Sequence, residues 1–85
     1  MAKKQKDVRL SKRAAKAVAS IAPLFRDAIK EALRDIATDP LLGIPLKGQL
    51  NPLRRLRVGK YHIVYGFTET TVDVVHIAHR KDAYR

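Results

Sequence analysis

Leu53-Arg-Arg-Leu-Arg-Val-Gly-Lys-Tyr-His-Ile-Val-Tyr65 is the stretch whose reading decides the fold. Leu56 and Val58 fall on one face, and Leu53, Arg55 and Arg57 on the other. Beyond a junction at Val58-Gly59-Lys60, Tyr61, Ile63 and Tyr65 share a face, opposite Lys60, His62 and Val64. Alternation with a period of two marks half-buried strands, and a glycine between two such runs joins them as a hairpin. One face is apolar. The open face carries a row of cations, and such a surface is suited to holding phosphate.

The rest of the chain extends this sheet. Downstream, Thr68-Glu-Thr-Thr71 is a turn, and Val72 to Ala78 is a third strand in which Val72, Val74, His76 and Ala78 alternate with Asp73, Val75, Ile77 and His79. Three strands with short connections form an antiparallel meander. Upstream, Leu41 to Pro52 is a loop punctuated by Gly43, Pro45, Gly48 and Pro52. Within it, Lys47 sets a cation just ahead of the sheet. Ahead of the loop lie two helices. Ser11 is the N-cap of the first, whose apolar stripe is Ala14, Ala15, Val18, Ile21 and Ala22. Pro23 opens the second, because proline suits the first helical turn. Phe25, Ile29, Ala32, Leu33 and Ile36 form its stripe, and Arg26, Lys30, Glu31, Arg34 and Asp35 face water. Thr38-Asp-Pro40 ends it. Asp7-Val-Arg-Leu10 alternates as a short first strand, after a flexible basic tail at residues 1–5. The expectation is one α+β domain over residues 1–85, in which a helix hairpin backs an antiparallel sheet made of the short N-terminal strand and the three-strand meander.

Composition narrows the function. Eighteen Lys and Arg against eight Asp and Glu give a net charge of +10 on 85 residues, which points to a polyanionic partner. A hydrophobic share of 46% is enough for a core and argues against overall disorder. With no cysteine there is no disulfide or thiolate metal site, and the three histidines lack the spacing that puts metal ligands on one helix face. No metal and no cofactor is expected. No apolar run approaches the roughly 18 residues of a membrane span. Met1-Ala-Lys-Lys-Gln-Lys6 is not followed by the apolar run of a secretory signal, so a cytoplasmic location away from membranes is expected. No glycine-rich phosphate loop or nucleophile elbow is present.

Strand, helix hairpin, loop, meander and a closing His79-Arg-Lys-Asp-Ala-Tyr84, together with Leu46-Lys-Gly48 and the 53–65 stretch, resemble the RelE/ParE toxin superfamily of toxin–antitoxin systems. The resemblance covers essentially the whole chain. It implies an antiparallel sheet backed by a helix hairpin, and an antitoxin as partner. RelE-type members cleave mRNA in the ribosomal A site without a metal. ParE-type members instead poison DNA gyrase and lack the nuclease residues. Carried over, Arg55 matches a basic residue on the first meander strand, with Arg57 two further on along the same face. Arg80 matches an arginine at the end of the last strand, and Tyr84 a C-terminal tyrosine. His62 departs from the pattern, since arginine commonly stands there. An imidazole is shorter, is only partly charged near neutrality and cannot copy a bidentate guanidinium grip. It suits proton transfer instead.

Metal-free RNA cleavage uses the substrate's own 2′-hydroxyl as nucleophile. The protein must remove that proton, stabilise the phosphorane charge and protonate the leaving 5′-oxygen. Arginine is a poor base but a good clamp for developing phosphate charge. Arg55, Arg57 and Arg80 are therefore assigned to electrostatic stabilisation, leaving His62, His79, Lys81 and Tyr84 for proton transfer; Tyr84 also suits stacking on a base. Lys47, Arg54, Lys60, His79 and Lys81 are expected to contact RNA or phosphate. His76, Tyr61 and Tyr65 are expected in packing roles. The reading is thus a ribosome-dependent mRNA endonuclease, the toxin of a toxin–antitoxin pair. Its rivals are a ParE-like gyrase inhibitor and a member that binds RNA without cutting it.

Overall fold

The alternating stretch forms the expected hairpin in the computed structural model, which describes residues 5–46 and 53–79. In chain order the elements are β1 (Asp7–Leu10), α1 (Lys12–Ser20), α2 (Pro23–Thr38), β2 (Ile44–Pro45), β3 (Arg54–Val58), β4 (Tyr61–Phe67) and β5 (Thr71–His79). Val58 pairs with Tyr61, leaving Gly59-Lys60 as a two-residue turn. Gly59 has φ 58° and is the only described residue with positive φ. A glycine at the first central position matches the twist that a two-residue hairpin needs.

Among the described residues the sheet has five strands in the order β1-β5-β4-β3-β2. β3, β4 and β5 make the antiparallel meander, whereas β1 runs parallel to β5, pairing Val8 with Val72 and Leu10 with Val74. The sheet is therefore mixed, with one parallel edge. Ile44-Pro45 adds a fifth strand inside the expected loop, pairing Ile44 with Arg55 and Pro45 with Arg54. A proline suits such an edge because it has no N–H to offer the ladder.

The third meander strand departs from simple alternation. Val64 pairs with His76 but Tyr65 pairs with Val74, so Val75 is an extra residue on β5. A bulge of this kind reverses the facing of every residue on one side of it. Val72 and Val74 accordingly share a face with Ile77 and His79, and His76 and Ala78 lie on the opposite face. The expected set of Val72, Val74, His76 and Ala78 is split in two.

α1 runs along β5, and α2 lies over β1, β3 and β5. Ala14 of α1, Ile21, and Ile29, Ala32 and Ile36 of α2 bury against Ile63, Tyr65, Val72, Val74 and Ile77 of the sheet. Ala17, Val18 and Leu33 pack at the margin, whereas Ala15 and Ala22 of the expected stripe are exposed. α1 is thus rotated toward Ala14, Ala17 and Val18. Ser11 caps it, its Oγ accepting from Ala14 N at 3.0 Å and donating to the Val75 carbonyl at 2.7 Å. Pro23 occupies the first turn of α2. Arg26, expected in water, turns back instead and donates from Nη2 to the Ile21 and Ala19 carbonyls at 2.9 and 3.3 Å. Those carbonyls lie at the C-terminal end of α1, where helical partners run out.

Candidate functional site

Two-residue spacing on β3 places Arg55 and Arg57 on the face away from the helices, about 7 Å apart along the strand. Antiparallel pairing sets His62 of β4 opposite Arg57, and Ala78 of β5 opposite His62. Arg55 faces Val64 on one side and Ile44 of β2 on the other. Leu42, Ile44, Arg55, Leu56, Arg57 and His62 line one open depression of about 310 Å³. Three residues expected to act together therefore meet in one place. His62 is only 2% exposed although it lies opposite the helix-covered core. Arg57 is exposed at the rim, where its Nε donates to the Gly59 carbonyl at 3.3 Å.

Other expected contacts are placed elsewhere. Arg54 pairs with Tyr65, so it projects to the helix side, and its Nε donates to the Gly43 carbonyl at 2.9 Å. It braces the loop instead of joining the cationic face. Lys60 is exposed in the hairpin turn, outside the strand on which it was expected to alternate. His79 pairs with Tyr61, across the sheet from Arg55 and Arg57, and the two rings meet edge to face at 5.4 Å and 81°. Phe25 extends this aromatic group, its centroid 6.1 Å from that of Tyr61. Lys47, Arg80, Lys81 and Tyr84 lie outside the described residues.

What holds the depression in shape is a set of polar contacts behind it. The Tyr65 hydroxyl, fully buried, accepts from Gly43 N at 2.8 Å and donates to the Pro40 carbonyl at 2.7 Å. Burial pushes the phenol above its usual pKa, partly offset by the Gly43 hydrogen bond and by Arg54. The hydroxyl therefore stays protonated and keeps both bonds at neutral pH. A Cβ at Gly43 would lie 2.6 Å from that hydroxyl and 2.9 Å from the Arg55 carbonyl, so only glycine lets the chain pass. These contacts deliver Leu42 and Ile44 to the edge of the site. Sequence reading missed both residues, and the available signal was slight: an apolar residue before a proline in a loop.

Electrostatically the site offers two guanidiniums, permanent cations with forked donors, beside one buried imidazole. Guanidiniums so placed can grip a phosphodiester. Among the described residues no three His, Asp or Glu side chains gather as a metal site requires. Nor is any described helix long and apolar enough to cross a membrane.

The family of the ParE toxin of type II toxin–antitoxin systems, parDE, matches residues 8–84. A search of curated proteins finds no significant sequence match. Among solved structures, the chain is similar to one in the RelBE2 toxin–antitoxin complex of Mycobacterium tuberculosis, at 28% identity, with a TM-score of 0.81 over 89% of this chain and 92% of that one. A chain of the RelB–RelE antitoxin–toxin complex of Methanococcus jannaschii is 25% identical, with a TM-score of 0.67 over 89% and 94% of the two chains. One from the archaeal RelE–RelB complex of Pyrococcus horikoshii shares the fold at 20% identity, with a TM-score of 0.77 over 91% and 97%.

Proposed function

The chain belongs to the RelE/ParE superfamily of type II toxin–antitoxin toxins, and from that premise we propose that it is a metal-independent, ribosome-dependent mRNA endonuclease. The observation that carries this reading is the meeting of Arg55, Arg57 and His62 in one depression on the open sheet face. In the proposed reaction the 2′-oxygen of the substrate attacks the adjacent phosphorus as its proton leaves. The bond to the 5′-oxygen breaks, and that oxygen takes up a proton. The products are a 2′,3′-cyclic phosphate and a 5′-hydroxyl. Arg55 and Arg57 clamp the phosphoryl oxygens as charge builds on them. One such donor is worth about 3–4 kcal/mol of barrier. His62, the strand partner of Arg57, is the group proposed to move a proton beside that phosphate. Arg80, as a further clamp, and Tyr84, as a proton donor or a stacking platform, complete the proposal from the C-terminal segment.

The partner proposed for control is a cognate antitoxin, in keeping with the RelB-bound relatives. Cytoplasmic mRNA on the ribosome is the proposed target. Inhibition of DNA gyrase is a second reading, favoured by the ParE description of the matched family. Induced expression with transcript-end mapping separates them. Wild type should produce site-specific ends within translated codons, and Arg80→Ala and Tyr84→Phe should produce few or none. Identical ends from all three proteins would overturn the enzyme assignment, and inhibited supercoiling without new ends would select the gyrase reading.

A further inference from the structure

The depression that holds Arg55, Arg57 and His62 has a second, apolar half. Leu42 and Ile44 form its wall and are 47% and 56% exposed. Ile44 is the direct strand partner of Arg55, on the same face. Exposed aliphatics on a loose loop would mean little. These two flank Gly43, which is fastened by the Tyr65 hydroxyl and Arg54, so they are presented from a fixed backbone. A cavity of about 310 Å³ that is cationic on one side and aliphatic on the other matches the two halves of a nucleotide. Phosphate is met by guanidinium, and the flat apolar face of a base by side-chain carbon.

We propose that Leu42 and Ile44 form a seat for the nucleobase next to the gripped phosphate. RNA is taken as the ligand on the nuclease reading above. A protein segment is the rival occupant of these aliphatics. RNA is favoured because they share a concave site with two arginines and a buried histidine.

The test uses the full chain and two probes: an RNA trinucleotide blocked by a 2′-deoxy sugar at its centre, and the same probe with the central base removed. Wild type should bind the base-bearing probe about tenfold more tightly than the abasic one. Leu42→Ser with Ile44→Thr should bring that ratio to about one, leaving affinity for the abasic probe and its salt dependence unchanged. Ile44→Val, which keeps the aliphatic surface, should retain the ratio. A ratio of one in wild type, a ratio that survives in the double variant, or no binding of either probe would overturn the seat. If the double variant lost co-purification with the cognate antitoxin but kept the ratio, the aliphatics would be a protein interface and the proposal would fall. Cleavage on programmed ribosomes is scored separately. Wild type that keeps the ratio without cutting sinks the nuclease reading alone, and wild type that cuts with a ratio of one sinks the seat alone.

Discussion

The two faces of the β3–β4 hairpin are built from the same thirteen-residue stretch, and they have opposite chemistry. On one, Leu56, Val58, Ile63 and Tyr65 pack under the helices. On the other, Arg55, Arg57 and His62 gather in a depression shared with Leu42 and Ile44. The covered face supplies stability through buried carbon. The open face sets like charges side by side around a buried histidine. Strand alternation thus lets one hairpin carry the core on one side and the candidate site on the other. Tyr65 connects the two: its ring lies in the core, and its hydroxyl fastens the loop that edges the site.

The contrast can be broken from either side. Ile63→Ala empties a fully buried position, and the expected loss is about 2–5 kcal/mol of unfolding free energy by denaturant titration. Arg55→Ala or Arg57→Ala should reverse that pattern. Cleavage should fall by about 10²–10³, while stability stays within about 0.5 kcal/mol. A variant that lost both in parallel would show that the faces are not separate. In the same variants, RNA affinity should become less sensitive to salt, with the logarithmic slope falling by about 0.7 for each phosphate contact removed.

Tyr65→Phe probes the link between them. It leaves the Gly43 N–H and the Pro40 carbonyl without their partner, at an expected cost of about 1–3 kcal/mol. Because folding raises the phenol pKa, the folded chain holds this proton more tightly than the unfolded one, whose tyrosine ionises near about 10. Its stabilisation is therefore complete below about pH 10 and declines as pH rises beyond it. Wild type should lose more stability than Tyr65→Phe between pH 9 and 11, in urea titrations run at about those two values. Equal losses would assign the alkaline sensitivity to other groups. The smallest effect is expected at Ser11→Ala, about 1 kcal/mol from the lost cap of α1, with no change at the open face.

Much of this was legible in the sequence because its signals are local. Alternation in the 53–65 stretch depends only on neighbouring residues, and both faces of the hairpin follow from it. Pro23 and Ser11 likewise mark helix starts through their own backbone preferences. What escaped depends on partners distant in sequence. The Val75 bulge exists only relative to β4, and it carries His79 to the side opposite Arg55. β2 is two residues long, too short to show a period, and only β3 makes it a strand. Arg54 and Arg55 are indistinguishable as letters. One braces Gly43 and the other lines the depression, because adjacent residues on a strand face opposite ways. Arg26 reads as a solvent charge until the end of α1 is folded back against it.

The most direct measurement is cleavage of mRNA on programmed ribosomes by purified wild type beside an Arg55→Ala/Arg57→Ala double variant of matched thermal stability. The proposed function expects codon-specific cuts with wild type and a loss of at least about a hundredfold in the folded double variant. Undiminished cutting by the double variant, or no cutting by a wild type that blocks gyrase supercoiling, would contradict it.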